Sequence, residues 1–403
     1  MFAFLVIALL ALQGDSKRIS LAMKLKMARS VAKGRYSPLK RSLQETEITN
    51  SVYYFVGNFS IGTPSKEFRM YIDTGSSYSW VEKKDCEDCA SFNVQYDPAE
   101  SSTYKDMDYH VENSYIDGSG FSGDLAQDII KIGEDFEALS YFVLSTSNTN
   151  FDYEKNNCDG LIGLGFKEAS DGYPTCIDSL KSSGIIDERI FSLYLNDLES
   201  EADENMEAYP PSNLEIGGYD LDKYSESGEV LVKIPVTIDK YWGTDLIDVY
   251  YEGAKIGSQK DIIFDCGTSL IYASSNDYKE IVDYMLNTSD QDCETDNDGT
   301  LLCSCSDIES MPSLSFKYNG VELMLESSAT WVKYSNSRCF LNLYDSKDTH
   351  WVLGGTFLKK YYTIYDMENK EISFYPAVQA SLKLKESQGL YLALSLAVLA
   401  FSF

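Results

Sequence analysis

Two aspartates in this 403-residue chain sit in the same short setting. MYIDTGSSYSWV surrounds Asp73 and IIFDCGTSLIYA surrounds Asp265, each an apolar run leading into Asp-x-Gly followed by a hydroxyl residue. The glycines, Gly75 and Gly267, permit the tight backbone that turns a carboxylate outward from a strand end. Ser76 and Thr268 are placed to hydrogen-bond the outer oxygen of the preceding carboxylate. A lone Asp-Thr-Gly would be read as a turn or cap, but here the pair recurs at an offset of 192 residues. A second element, Leu161-Ile162-Gly163 in the first half and Val352-Leu353-Gly354 in the second, recurs at 191. Two unrelated features sharing one offset point to duplication of a lobe of about 190 residues. If a pseudo-twofold axis relates the loops, Asp73 and Asp265 face each other. Their like charges then cannot both ionise freely, so one proton is shared, as general acid–base chemistry requires.

The composition suits two such lobes. Length favours two or three compact units, and the 44% hydrophobic and 13% aromatic content, with 30 Tyr and 19 Phe, favours a mostly β fold. A formal charge of -29 argues against a nucleic-acid partner. His110 and His350 stand far apart, which argues against Ser/His/Asp or Cys/His catalysis and His-based zinc sites. No metal or cofactor is expected, and a monomer is expected. The acidic ETDNDG run at 294–299 offers Cys305 at the twelfth ligand position instead of Glu, so it reads as a solvated hairpin tip and not a calcium loop.

The ends read as processing signals. Residues 1–14, MFAFLVIALLALQG, form a short apolar run like the core of a signal peptide. Residues 15–45 switch to a basic composition and read as a propeptide that binds the acidic body and lets go as carboxylates protonate. At the far end, the spacer and uncharged tail of 381–403 read as a GPI-attachment signal, with a retained short membrane tail as the rival. The tail is the expected membrane contact. Residence is expected in the secretory pathway, at the cell surface by such an anchor or else extracellular or vacuolar/lysosomal. Asn58 and Asn287 begin glycosylation sequons.

Nine cysteines with a signal peptide suggest disulfides and one unpaired thiol, assigned to Cys266 in the second aspartate loop. Cys86 with Cys89 would close a small loop, and Cys158 with Cys176 would tie a strand to the following helix. Cys293, Cys303, Cys305 and Cys339 supply two more bridges of open connectivity.

From residue 17 to 378 the chain resembles the pepsin-like (A1-type) aspartic proteases. The resemblance rests on YYFVGNFSIGTPSKEF before Asp73, Trp80 seven residues after it, DGLIGLGF at 159–166, FSLYLND and NLEIGGYD, DKYWGTDLIDVYYEGAKIG, and the closing HWVLGGTFLKKYYTIYDMENKEISFYPAV. It implies a bilobal fold, with lobes at 46–218 and 219–380 and a cleft holding seven or eight residues of extended peptide. Asp73 and Asp265 would be the catalytic pair, Asp73 as base and Asp265 as acid. A β-hairpin flap would cover the cleft, with Tyr115 hydrogen-bonding towards Trp80, and Gly118, Ser119 and Gly120 as hinge and backbone donors. Peptides or proteins are the implied substrates, and the propeptide the implied inhibitor, with Arg35-Tyr36 nearest to the family's blocking residue and Lys40 and Arg41 as rivals. A non-catalytic surface protein binding peptides or inhibitors is the competing class.

The sequence departs from the family in two places. Thr74 keeps the hydroxyl that clamps the two loops together, whereas Cys266 replaces its counterpart. The expectation is a half-softened clamp costing about 1 kcal/mol, with a thiol open to oxidation. Gly355 stands where the family has Asp.

Overall fold

The computed structural model describes residues 18–29 and 51–378, apart from 87, 90–92, 116–117, 134–135, 151–157, 197–209, 258–259 and 297–299. The expected leader, Arg35, Tyr36, Lys40 and Arg41, and the tail at 381–403 lie outside the described residues.

The first half is built from β1 (Ile19–Ala22), β2 (Lys24–Arg29), β3 (Ser51–Ile61), β4 (Lys66–Asp73), β5 (Trp80–Glu82), β6 (Lys105–Ser114), β7 (Gly120–Ile132), β8 (Phe136–Thr149) and β9 (Gly160–Gly163). Eight of these form one sheet in the order β2-β3-β4-β9-β5-β8-β7-β6, and an extra β3–β7 pairing curls it back on itself. The cause is visible in β4, where Phe68, Met70 and Ile72 alternate into the core and leave Tyr71 and Asp73 on the opposite face. Each such side chain, fully buried, stabilises the sheet by roughly 1.5–3 kcal/mol.

The second half supplies β10 (Ile190–Tyr194), β11 (Asn213–Ile216), β12 (Val232–Pro235), β13 (Gly243–Thr244), β14 (Asp248–Tyr251), β15 (Ala254–Lys255), β16 (Ile262–Phe264), β17 (Ile271–Ala273), β18 (Cys293–Thr295), β19 (Leu301–Ser304), β20 (Leu314–Tyr318) and β21 (Val321–Leu325). It continues with β22 (Trp331–Lys333), β23 (Arg338–Leu341), β24 (Tyr344–Asp345), β25 (Trp351–Leu353), β26 (Tyr361–Asp366) and β27 (Glu371–Pro376). A five-stranded sheet, β13-β16-β25-β17-β24, carries the second aspartate loop. A six-stranded sheet, β1-β11-β10-β26-β27-β12, draws strands from both halves and from the basic segment. This sheet therefore takes strands from both sides of residue 218. Its edge strand β1 pairs antiparallel with β11, Ile19 opposite Ile216, and β2 pairs antiparallel with β3.

The duplication has a direct structural form. β4 runs parallel to β9, which pairs antiparallel with β5. In the same way β16 runs parallel to β25, which pairs antiparallel with β17. The repeated Gly163 and Gly354 have a steric cause. A Cβ at Gly163 would lie 2.7 Å from the Ser77 carbonyl carbon, and one at Gly354 would lie 2.2 Å from the Leu270 carbonyl oxygen. Only glycine lets the aspartate loops lie against these strands. Between the halves, the Trp242 Nε1–H donates to the Leu164 carbonyl at 2.8 Å. Its ring lies 4.4 Å from Phe166, and Phe191 stacks on Tyr365 at 4.6 Å.

Disulfides join Cys86 to Cys89, Cys293 to Cys303 and Cys305 to Cys339. The expected Cys158–Cys176 bridge is absent, and both are free buried thiols. The Cys158 thiol donates to the Arg69 carbonyl at 2.9 Å, while Cys176 is buried at the start of the helix Cys176–Ser182. Burial pushes each thiol up to about 12, so both behave as small apolar core residues.

Candidate active site

Each aspartate loop hangs from a parallel strand pair. The Leu164 N–H donates to the Asp73 carbonyl at 2.8 Å, and the Asp265 N–H donates to the Leu353 carbonyl at 3.1 Å. Within each loop the expected hydroxyl donors are in place and a glycine N–H joins them. Gly75 N–H and Ser76 Oγ donate to the two Asp73 oxygens at 2.7 and 2.6 Å. Gly267 N–H and Thr268 Oγ1 do the same for Asp265 at 2.9 and 2.6 Å.

The two carboxyls face each other across the loops. A Cβ at Gly75 would lie 2.5 Å from Asp265 Cγ, and one at Gly267 would lie 2.4 Å from Asp73 Oδ1. Each glycine is thus the floor beneath the opposite carboxylate. Burial first, then the charge and hydrogen bond of Asp265, push the Asp73 carboxyl well above the usual carboxylate range, against the opposing pull of Ser76 and Gly75. Two carboxyls so placed hold one proton between them. Asp73 is the buried partner and Asp265 only half-buried, so the two carboxyls meet in unequal surroundings. The proton belongs to the pair.

The clamp beneath the pair also differs from expectation. Thr74 Oγ1 donates to the Phe264 carbonyl at 3.0 Å and accepts from the Cys266 N–H at 2.9 Å. In mirror fashion the Cys266 thiol donates to the Ile72 carbonyl at 3.3 Å. The longer C–S bond and larger sulfur let the thiol span this gap, so the crossing is kept on both sides. Burial, then the charges of Asp265 and Asp73, push this thiol far up, which keeps its S–H as a donor. At 1% exposure it is closed to oxidants, contrary to the expectation from sequence. At Gly355 an added Cβ would meet only ordinary contacts, the nearest being Phe55 Cε2 at 3.5 Å, so steric crowding does not account for this glycine.

The hairpin of β6 and β7 overhangs the pair. Trp80 Nε1–H donates to Tyr115 Oη at 3.0 Å, and the turn is held by Tyr115 N–H to the Ser119 carbonyl at 2.7 Å and Gly118 N–H to the Tyr115 carbonyl at 3.0 Å. Gly118 has φ +83°, a conformation that favours glycine. Below the hairpin lies a cleft of about 700 Å³ whose lining includes Asp73, Asp265, Tyr115 and Ser119. Sequence reasoning missed other lining residues, among them Asp261, Asp348 and His350. The period-two alternation from Asp261 through Ile263 to Asp265 was the available signal.

A twofold-repeated strand design, a facing carboxyl pair and an overhanging hairpin define a bilobal acid-protease architecture. The chain belongs to the eukaryotic aspartyl protease family, whose model it matches over residues 53–377. It is 28% identical to pepsin A of Sus scrofa over 331 residues, covering 80% of this chain and 81% of the relative. With pepsin-2B of Gadus morhua it shares 30% identity over 332 residues, 80% and 96% of the two chains. Pepsin-3 of Oryctolagus cuniculus is 29% identical over 327 residues, 79% of each.

Proposed function

We propose that the chain is an aspartic endopeptidase that hydrolyses peptide bonds at acidic pH with Asp73 and Asp265. The observation that carries this reading is the facing pair itself, each carboxylate fixed by a backbone N–H and a hydroxyl and each resting on the other loop's glycine. A water between the carboxyls loses a proton to the ionised one while the protonated one donates to the scissile carbonyl oxygen, giving a tetrahedral gem-diol. Transfer of a proton to the departing amine then breaks the C–N bond. Tyr115 and Ser119 close over the peptide from the hairpin side. The thiol clamp favours catalysis over the binding-module reading, because it preserves the alignment that mere peptide capture does not need.

The basic segment acts in this proposal as the enzyme's own inhibitor, tethered through β1 and β2. A leader at 1–14, a glycan at Asn287 and a GPI anchor on the tail would place the enzyme in the secretory pathway and at the cell surface. The test is cleavage of an acid-denatured protein at about pH 4 by wild type, Asp73→Asn and Asp265→Asn. Wild-type cleavage blocked by a pepstatin-type inhibitor and lost in both variants is expected. A wild type as inert as Asp265→Asn refutes the reading.

A further inference from the structure

The wall of the cleft that carries Asp265 has an order to it. Along β16 and the residue after it, Ile263 and Asp265 face the cleft while Ile262 and Phe264 are buried in the core. The Trp351 N–H donates to the Asp261 carbonyl at 2.8 Å, which extends the same parallel pairing one step back. In β25 and the residues before it, Val352, His350 and Asp348 line the cleft while Trp351 and Leu353 are buried. Ile263 lies opposite Val352 in the register. Moving away from the catalytic carboxyl, the wall is therefore first aliphatic, then carboxylate. At about 3.3 Å per residue, Ile263 is roughly 7 Å and Asp261 roughly 13 Å from Asp265 along the strand.

The charge at that end is uncompensated by lysine or arginine. None lines the cleft among the described residues. The neighbouring Lys260 is turned to the buried Asp277 at 3.7 Å, and Lys347 is paired with Asp345 at 2.6 Å. His350 Nδ1 stands 3.6 Å from Asp348 Oδ2 and offers at most one positive charge against two carboxylates. The Thr349 amide, then His350, hold Asp348 below the usual carboxylate range, so it stays ionised in mild acid. Beside these groups, Ile238 and the part-exposed Tyr241 line the same cleft and give an alkyl stem something to lie on.

We infer that this wall selects substrates with a lysine or arginine two to four residues from the scissile bond, through Asp261 and Asp348, and an aliphatic residue nearer to it, against Ile263 and Val352. The inference rests on the endopeptidase reading and names its substrate class. An extended peptide advances by the same 3.3 Å per residue as the wall, and a long cationic side chain covers the remaining gap.

The test uses the acid-activated full chain and quenched fluorescent octapeptides in which lysine replaces norleucine at one position at a time. The readout is the lysine-to-norleucine ratio of kcat/KM, taken within each enzyme. A ratio of roughly twofold to fivefold is expected at one position in the wild type, as exposed charge pairs give. It should fall to about one in the Asp261→Asn/Asp348→Asn double variant and below one in Asp348→Lys. A ratio of one at every position in the wild type, or a preference that survives in the double variant, overturns the inference alone. Failure to cut any peptide overturns the endopeptidase reading and the inference with it.

Discussion

Replacing Cys266 with alanine removes one sulfur from beneath the carboxyl pair and nothing else. The thiol makes a 3.3 Å hydrogen bond to the Ile72 carbonyl, worth about 1 kcal/mol net. It also fills buried volume, and losing an atom of that size costs roughly another 1 kcal/mol. The expected loss is about 2 kcal/mol, or roughly 2–3 °C in Tm for a chain of this size. Because the lost bond crosses between loops, kcat/KM should fall with the stability. Cys266→Ser keeps a donor and should lose no more than about 1 kcal/mol. Thermal unfolding and peptide cleavage of the three proteins decide the matter, with iodoacetamide labelling as a control that should modify Cys266 only after unfolding. The reasoning is refuted if alanine matches the wild type within about 0.5 kcal/mol, or if serine is as damaged as alanine.

Other perturbations follow from the same geometry. The Asp73 pKa is raised in the fold, so its contribution to stability is fully present below the ordinary carboxylate pKa and is lost as pH rises through the raised one. Asp73→Asn should abolish cleavage yet flatten this decline, leaving the variant more stable than wild type at neutral pH in urea titrations. A wild type whose stability is unchanged between pH 4 and 7 relative to the variant contradicts this. Tyr115→Phe removes the Trp80 bond and should lower kcat/KM by about fivefold, the equivalent of one hydrogen bond, while adding Trp80→Phe costs little more if the pair acts as a unit. Gly354→Ala would place a Cβ 2.2 Å from the Leu270 carbonyl oxygen and should abolish activity or folding, whereas Gly355→Ala should be tolerated, as judged by soluble yield and cleavage.

Much of the site is legible in the sequence because it depends on local chemistry repeated twice. An Asp-x-Gly-hydroxyl segment carries its own hydrogen bonds, and a fixed offset between two copies survives whatever the loops do. The partner of Tyr115 is equally readable once the resemblance is recognised. The cysteine pairing is legible only where two thiols are near neighbours, as Cys86 and Cys89 are, because a count of nine says nothing about which of the others meet. Cys158 and Cys176 are each absorbed separately into the core, and Cys303 lies opposite both Cys293 and Cys339 in the strand register, a choice no spacing rule decides. The clamp is illegible for a different reason. A cysteine looks like a lost donor until the distance to Ile72 shows that sulfur reaches across. The sheet shared by the two halves is equally illegible, because sheet pairing ignores chain order and sets β10 beside β26.

The crossed bonds from Thr74 to Phe264 and from Cys266 to Ile72 have a mechanical meaning. Each carboxyl is indexed to the backbone of the opposite half, not only to its own. A rotation of one half against the other would stretch these bonds least if its axis ran through them. The crossed bonds thus make the carboxyl spacing the part of the cleft that such a rotation would disturb least.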